Sequence, residues 1–292
     1  METSELLKKV RKIEIKTKGL TNQMFSGEYQ SAFKGRGMSF SEVREYGYGD
    51  EIRSIDWNVT ARNNAPYVKV FNEERELTMM LLIDVSASVF YGTQQQTKNE
   101  FITELAAVLA FSAIKNNDKV GLILFSDKIN TFIPPKKGKS HILRIIRELV
   151  TTEASSAKTD MLMAMQFFNN IMKKRAITFL ISDFLHEPNY KLPLSLAARK
   201  HDLVGMKVFD KNETNLPTIG LIRAIDEETG TIKWIDTSDK NTRKQFKDYY
   251  ETMDTNTQQL FKKAGTDFIQ FETSQGYIKT LMLFFKKRTN SK

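Results

Sequence analysis

The sequence predicts an α/β protein with a doubly wound, mostly parallel sheet, and two observations support this fold class. Short runs of large apolar residues recur at 79–84, 119–126 and 176–184, and such runs are typical of strands buried on both faces of a parallel sheet. Segments with apolar residues at helical spacing separate these runs. Alternation of strand and helix in this way indicates a doubly wound architecture.

The predicted elements alternate from residue 79 almost to the end of the chain. The best-defined helix spans about 98–116, because Thr97 and Glu100 have the spacing of a capping box and an apolar stripe follows them. A β-hairpin with its turn at 227–230 forms a small β insertion near 211–240. The other predicted elements are an edge strand at 128–134 closed by Pro134 and Pro135, helices around 142–149 and 161–171, a strand at 202–209, a helix at about 241–263, a strand at 266–271 and a helix at 277–287.

Residues 1–76 are expected to form an N-terminal segment in front of an α/β domain at 77–292. Apolar positions at helical spacing predict a helix over residues 1 to about 18. The stretch from 35 to 62 has little periodicity and many glycines, aromatics, arginines and acids. Its charged residues predict an irregular platform held by bidentate ion pairs. The charged residues are Arg44, Arg53, Arg62, Asp50 and Asp56, and the expected apolar anchors are Phe40, Tyr46 and Trp57. The pattern leaves open whether this platform is structural or presents a recognition surface.

Oxygen-bearing side chains follow two of the predicted central strands. Asp84, Ser86 and Ser88 come at the end of the first strand, and Asp183 ends the third. Open α/β sheets place ligands just beyond the carboxyl ends of their strands, so these side chains are expected to share one crevice. Carboxylates without a basic partner nearby in the sequence favour a cation, and hard oxygen ligands suit Mg²⁺ or Mn²⁺ better than Zn²⁺. The alternative is a strand that ends in an ordinary Asp/Ser turn.

Composition excludes several classes of protein. The chain of 292 residues with 40% hydrophobic content can bury a sizeable core, and the absence of cysteine excludes disulfides, thiolate zinc sites and a cysteine nucleophile. No apolar run approaches the ~18 residues of a membrane span, and the N-terminus lacks a signal-peptide pattern, so we expect a soluble cytoplasmic protein. The net charge of +9 favours acidic partners, but its basic residues are scattered among acids, which makes nucleic acid the weakest candidate.

These residues also carry a resemblance to known families. Asp84, Ser86 and Ser88, then Thr159, then Asp183 resemble the metal-ion-dependent adhesion site of von Willebrand factor A domains. In that family the first Asp, both Ser and the Thr hold the metal directly or through water, and the later Asp does so through water. Thr159 is also a candidate helix N-cap, as is Asp160.

The upstream segment resembles the hallmark of domain-of-unknown-function family fifty-eight, which joins it to a von Willebrand A-like domain. The matching positions are Gly35, Arg36, Gly37, Phe40, residues 44–46, Gly49, Asp50, Arg53, residues 55–57, Ala61 and Arg62. The family's usual setting implies a MoxR-type AAA+ ATPase as partner, with the A-like domain acting as adaptor or substrate recruiter.

Together these features predict a metal-dependent protein-interaction module that is not itself an enzyme. A metal-dependent hydrolase is the first alternative, although His141, His186 and His201 fall in no motif spacing and His186 is expected to be a surface or loop histidine. A glycine-rich nucleotide loop ending in Lys-Ser/Thr is absent, which excludes a P-loop ATPase. Binding of nucleic acid through the basic surface is the second alternative.

Overall fold

The computed structural model describes the backbone of residues 3–20, 29, 32–33, 38–63, 65–73, 76–92, 96–154, 156, 158–186, 189–225 and 231–290. The chain divides into two compact units, one of Met1–Phe33 with Leu77–Lys292 and the other of Lys34–Glu76. The sequence-based division at 76/77 falls on one of these boundaries. Residues 1–33, which the sequence grouped with the N-terminal segment, cluster with the large unit instead.

The described residues contain ten strands and nine helices. The strands are β1 Met38–Glu45, β2 Tyr67–Glu73, β3 Thr78–Asp84, β4 Lys119–Phe125, β5 Ile129–Lys136, β6 Ile177–Ser182, β7 Asp202–Phe209, β8 Leu221–Ile225, β9 Ile232–Asp236 and β10 Asp267–Glu272. The helices are α1 Thr3–Leu20, α2 Trp57–Asn63, α3 Lys98–Lys115, α4 Lys139–Thr151, α5 Met161–Ile171, α6 Lys191–Lys200, α7 Lys211–Thr214, α8 Lys240–Ala264 and α9 Tyr277–Asn290.

The large unit is built on a six-stranded sheet in the order β10-β7-β6-β3-β4-β5. All neighbouring strands are parallel except β4 and β5, which pair antiparallel at one edge. The strand β3 is buried on both faces, because Leu81 and Ile83 belong to one core layer and Met80 and Leu82 to the other. The predicted fold class, a doubly wound and mostly parallel α/β sheet, is therefore confirmed.

The strand order places a topological switch between β3 and β6. From β3 the chain continues to β4 and β5 on one side of the sheet, and from β6 it continues to β7 and β10 on the other side. Connections that diverge from two neighbouring strands leave a crevice at the carboxyl ends of those strands. The crevice of this sheet therefore lies where Asp84 ends β3 and Asp183 follows β6.

Several local predictions are confirmed and one boundary is corrected. Helix α3 begins after Thr97 with the predicted capping box, in which Thr97 and Glu100 each accept from the other's backbone N–H. The strands β8 and β9 form the predicted antiparallel hairpin, and its turn at 227–230 lies outside the described residues. The edge strand β5 runs through both prolines to Lys136 instead of closing at Pro134. An edge strand tolerates proline because one side of its backbone has no partner strand.

The small unit contains an antiparallel pair, β1 and β2, with the short helix α2 between them. Arg44 makes the predicted bidentate ion pair with Asp50, at 2.8 Å and 2.7 Å, and the backbone N–H of Gly47 also donates to Asp50 at 2.7 Å. Asp56 accepts from the N–H groups of the first turn of α2 and lies 3.4 Å from Lys69. These contacts join residues of the loop between β1 and β2 to one another and to the two strands.

Two details of the predicted platform are wrong. Trp57 is 67% exposed, so it is not an apolar anchor of this unit. The partner of Asp56 is Lys69, whereas the sequence suggested an arginine, and Arg53 has an exposed side chain. The side chain of Phe40 and residues 34–37 lie outside the described part of the chain.

None of the helices in the described residues is both long enough and apolar enough to span a membrane.

Candidate metal site at the sheet switch point

The site lies at the carboxyl edge of β3 and β6, and the position of each side chain follows from this pairing. The register joins Ile83 to Ile181, so the next residues along the two strands, Asp84 and Ser182, are also side by side. The hydroxyl of Ser182 donates to Oδ2 of Asp84 at 2.7 Å. The apolar runs of β3 and β6 end at the same level of the sheet. The polar residues that follow these runs, Asp84 and Ser182, therefore lie next to each other.

The turn after β3 folds its serines back toward the carboxylate. The backbone N–H of Ser86 donates to Oδ1 of Asp84 at 2.9 Å, and the hydroxyls of Ser86 and Ser88 are 3.2 Å apart. A short 3₁₀ turn, Ala87–Phe90, follows directly and carries Ser88. Asp84 and Ser86 are both buried. Three of the five predicted ligands thus form one hydrogen-bonded cluster of oxygens.

Asp183 joins the same cluster from β6. The hydroxyl of Ser88 helps to lower the pKa of its carboxylate, and its negative charge acts on Asp84. The chain turns sharply after it, since Phe184 has a φ of 53° in the left-handed region and donates its N–H to the hydroxyl of Ser182 at 3.0 Å. A non-glycine residue in this conformation is costly and is found where surrounding structure enforces it, often at functional sites.

The loop that carries Thr159 also reaches this edge of the sheet. The N–H of Ala87 donates to the carbonyl of Ser156 at 3.0 Å, and the N–H of Asp160 donates to the carbonyl of Ser126, which follows β4. Thr159 is half-buried in this loop, and Asp160 rather than Thr159 is the N-cap of α5, accepting from Met163 at 2.9 Å. The capping alternative for Thr159 is therefore wrong, and its role as a metal ligand stays a prediction.

Sequence reasoning missed the cation of this site. Lys98, the first residue of α3, has a side chain with 0% exposure, and its Nζ lies 2.8 Å from Oδ2 of Asp183 and 2.5 Å from Oε1 of Glu213. The inference that the carboxylates lack a basic partner is thus wrong for Asp183. Nothing local in the sequence distinguishes Lys98 from the solvent-exposed lysines, because its partners lie 85 and 115 residues away.

His186 lies in the loop after Asp183, as expected, but it is not on the surface. It is largely buried beside Tyr190, with its ring centroid 5.8 Å from the tyrosine ring. Burial lowers the pKa of His186, and the nearby charges of Asp183 and Asp160 oppose that effect. The rings of the other two histidines make hydrogen bonds with backbone groups. His141 bonds the carbonyl of Val120, and His201 accepts from the N–H of Ala176.

The protonation of the two carboxylates reflects their different surroundings. Burial raises the pKa of Asp84 to about 6, and the charge of Asp183 adds to this. Burial also works against the charge of Asp183, but the ammonium of Lys98 and the hydroxyl of Ser88 hold the pKa of Asp183 below its ordinary value. Of these two carboxylates, Asp84 is the one whose negative charge is not offset by a neighbouring ammonium.

The donor set fits a hard divalent cation. Asp84 and Asp183 supply two carboxylates, of which Asp183 is paired with the ammonium of Lys98, and the hydroxyls of Ser86 and Ser88 add neutral oxygens. Oxygen donors with excess negative charge are the environment that Mg²⁺ prefers. No cluster of three or more His, Cys, Asp or Glu side chains that could hold a metal occurs in the described residues. The fit to a metal therefore depends on the serine hydroxyls together with two carboxylates.

Comparisons with known proteins agree with this architecture. An aerotolerance-related membrane protein from Bacteroides fragilis has a similar structure, with a TM-score of 0.51 and 16% identity over 74% of this chain and 100% of that chain. The VWA domain of SpRpn10 also matches, with a TM-score of 0.38 and 13% identity over 70% of this chain and 94% of that domain. The first of these similarities is one of fold alone, and it supports the α/β architecture of this chain.

The chain belongs to the family described as "Protein of unknown function DUF58", whose sequence profile matches residues 42–256. The uncharacterized protein Rv1480 of Mycobacterium tuberculosis is 24% identical over 290 residues, which cover 99% of this chain and 91% of that relative. The uncharacterized protein YeaD of Bacillus subtilis is 26% identical over 117 residues, 40% of this chain and 27% of that relative.

Proposed function

We propose that the protein is a metal-dependent protein-interaction module that binds Mg²⁺ or Mn²⁺ and captures a carboxylate of a partner protein. The von Willebrand factor A-like fold suits protein interaction in general, and the crevice supports the finer proposal. The observation that carries it is the convergence of Asp84, Ser86, Ser88 and Asp183 at the switch point of the sheet, with more negative than positive charge.

The residues that would hold the metal are Asp84, Ser86, Ser88 and Asp183, with Thr159 from the adjoining loop. When bound, the metal would supply an open coordination position for an Asp or Glu of the partner. Ser182 and the N–H of Ser86 orient the carboxylate of Asp84, and Lys98 orients that of Asp183.

We further propose that the protein has no hydrolytic activity of its own. A hydrolase needs a general base and an activated nucleophile, and both acidic ligands are committed to hydrogen bonds inside the crevice. His186 is the nearest histidine, but burial lowers its pKa and its ring packs against Tyr190. Metal-dependent turnover of a phosphoester or peptide by the purified protein, lost in Asp84→Ala, would establish the hydrolase instead.

The partner proposed first is a MoxR-type AAA+ ATPase, and this choice rests on the family resemblance alone. The test is capture of that ATPase by the purified protein in Mg²⁺ and in EDTA. We expect capture in Mg²⁺, loss in EDTA and recovery when Mg²⁺ is restored. Capture that is equal in both buffers would contradict metal dependence, and no capture in either would remove this partner.

The metal itself is tested by titration calorimetry with Mg²⁺ alone. Asp84→Ala should abolish heat of binding while the protein stays folded. The matched control is Asp202→Ala, which removes an aspartate from the opposite, amino-terminal edge of the same sheet and should leave Mg²⁺ binding unchanged. Unchanged Mg²⁺ affinity in Asp84→Ala would refute the assignment of the site.

A further inference from the structure

The side chain of Lys98 is a buried cation held between two carboxylates of the crevice. It has 0% exposure, and lysine is almost never fully buried unless it is paired. Its Nζ contacts Asp183, which is also a predicted metal ligand, at 2.8 Å and Glu213, which is not, at 2.5 Å. One carboxylate of the predicted metal site is therefore already bonded to a positive charge that belongs to the protein.

Both ends of this bridge are fixed by local structure. The N–H of Lys98 donates to the carbonyl of Tyr91 at 3.0 Å, at the start of α3. Glu213 uses its second oxygen to accept from the N–H of Asp210 at 2.8 Å, within the capping box of α7. Because neither end is free to swing away, the ammonium stays beside Asp183 as long as α3 and α7 are in place.

The charges of the crevice explain what such an ammonium would do. With all three carboxylates ionised, Asp84, Asp183 and Glu213 carry three negative charges, and Lys98 reduces the total to two, which one divalent cation would balance. The ammonium and the divalent cation would both be attracted to Asp183 and would repel each other. The strength of that repulsion sets how much affinity remains for the metal.

We propose that Lys98 is a built-in counter-ion that keeps the metal-free crevice folded and limits its affinity for the divalent cation, and that Glu213 sets the strength of this limit. The proposal rests on the proposed function, because it concerns the same metal site. Its consequence is that tight metal binding needs the extra negative charge of a partner's carboxylate. Metal capture and partner capture would then occur together.

A purely structural ion pair makes a different prediction from a counter-ion. If the bridge only holds α3 and α7 in place, Lys98→Met and Glu213→Gln both loosen the crevice and both weaken Mg²⁺ binding. If Lys98 is a counter-ion, the two changes have opposite effects. Lys98→Met raises the negative charge of the crevice from two to three, and Glu213→Gln lowers it from two to one.

The experiment is calorimetric titration of each variant with Mg²⁺ alone, after EDTA treatment, at constant pH and ionic strength. We expect Lys98→Met to bind Mg²⁺ about tenfold more tightly and Glu213→Gln about tenfold more weakly than wild type, since a unit charge near a divalent ion in a partly buried site is worth at least that factor. The double variant carries two negative charges, like wild type, and should return to wild-type affinity. Lys98→Arg keeps the charge and should bind as wild type does.

Arg288 offers a matched control at the opposite edge of the sheet. It bridges the carboxylates of Asp202 and Asp267, at 2.5 Å and 3.2 Å, as Lys98 bridges its own pair. Arg288→Met should therefore leave Mg²⁺ affinity unchanged.

The outcomes separate this inference from the proposed function. Weaker Mg²⁺ binding in both single variants, or an unchanged affinity in both, would overturn the counter-ion role while leaving the metal site standing. An absence of Mg²⁺ binding in wild type and in every variant would overturn the metal site itself. If Lys98→Met does not fold without metal, Glu213→Gln and the double variant still decide the sign of the effect.

Discussion

The uncompensated charge of Asp84 can be measured by replacing it with asparagine, which has nearly the same shape and no charge. Burial first, and the charge of Asp183 second, raise the pKa of Asp84 from 3.8 to about 6. That shift is about two units, and each unit corresponds to ~1.4 kcal/mol. At pH 7 the ionised carboxylate therefore costs the metal-free folded protein about 3 kcal/mol.

Asparagine keeps an acceptor for the N–H of Ser86 and loses one for the hydroxyl of Ser182. A lost hydrogen bond of this kind costs about 1 kcal/mol. We therefore expect Asp84→Asn to raise the free energy of unfolding in EDTA by about 2 kcal/mol at pH 7. In excess Mg²⁺ the wild type should gain stability and the variant should not, because only the wild type retains the ligand.

The dependence on pH follows from the direction of the pKa change. The folded protein keeps the proton of Asp84 up to about pH 6, whereas the unfolded chain releases it near its ordinary value of 3.8. The stability that the protonated group contributes is present below about pH 4 and is lost as the pH rises through 6. The advantage of Asp84→Asn over wild type should accordingly shrink by about 2 kcal/mol between pH 7 and pH 4.5.

Urea unfolding followed by circular dichroism, in EDTA at the two pH values, measures this difference directly. Asp202→Asn serves as the control for replacing an aspartate elsewhere in the same sheet. If Asp84→Asn is less stable than wild type at pH 7 in EDTA, or if its advantage does not change with pH, the carboxylate is not repelled in the folded protein and the reasoning fails.

Two further predictions concern the fold. In Gly205→Ala the added methyl would lie 2.5 Å from Cε1 of Phe261, so we expect a loss of about 1–3 kcal/mol in urea unfolding, whereas Gly276→Ala, with nothing within 4 Å, should be neutral. An unchanged stability in Gly205→Ala would show that the aromatic ring moves aside freely. In the small unit, Asp50→Ala removes a bidentate ion pair and should speed limited proteolysis within residues 38–63. The side chain of Arg53 is exposed, so Arg53→Ala should be cut by the protease at the wild-type rate. Equal rates for the two variants would mean that the ion pair does not hold the loop.

The parts of the site that sequence reasoning found are those tied to strand ends. Asp84 and Asp183 each come at the end of an apolar run. When two neighbouring parallel strands end at the same level of the sheet, the residues at their ends lie close together whatever conformation the loops adopt. The serines follow because they lie within four residues of Asp84 and the turn folds them back. The prediction of Thr159 rests on family resemblance. The structure brings the loop that carries Thr159 to the site, and the role of its side chain as a ligand stays a prediction.

The parts that sequence reasoning missed depend on long side chains and long-range order. Lys98 is the first residue of α3, and the sequence there is that of an ordinary helix N-terminus. Only the packing of α3 against the sheet directs the ammonium of Lys98 to Asp183. Glu213 lies on a helix of a single turn after β7, and it reaches the crevice because β7 is the neighbour of β6. Trp57 shows the opposite error, since the pattern predicts an apolar anchor at a side chain that is 67% exposed.

The sequence by itself determined the alternation of strands and helices, the burial of β3 and β6 on both faces, and the oxygen-bearing residues at their ends. These features are local, because the period and length of an apolar run decide whether a segment can be buried as a strand or as a helix. Only the tertiary structure decided that β3 and β6 are neighbours, that the crevice contains the ammonium of Lys98, and that Asp84 carries the uncompensated charge. Charge pairing acts over a few ångströms between groups far apart in the chain, so it is set by the order of the strands and the packing of the helices on them.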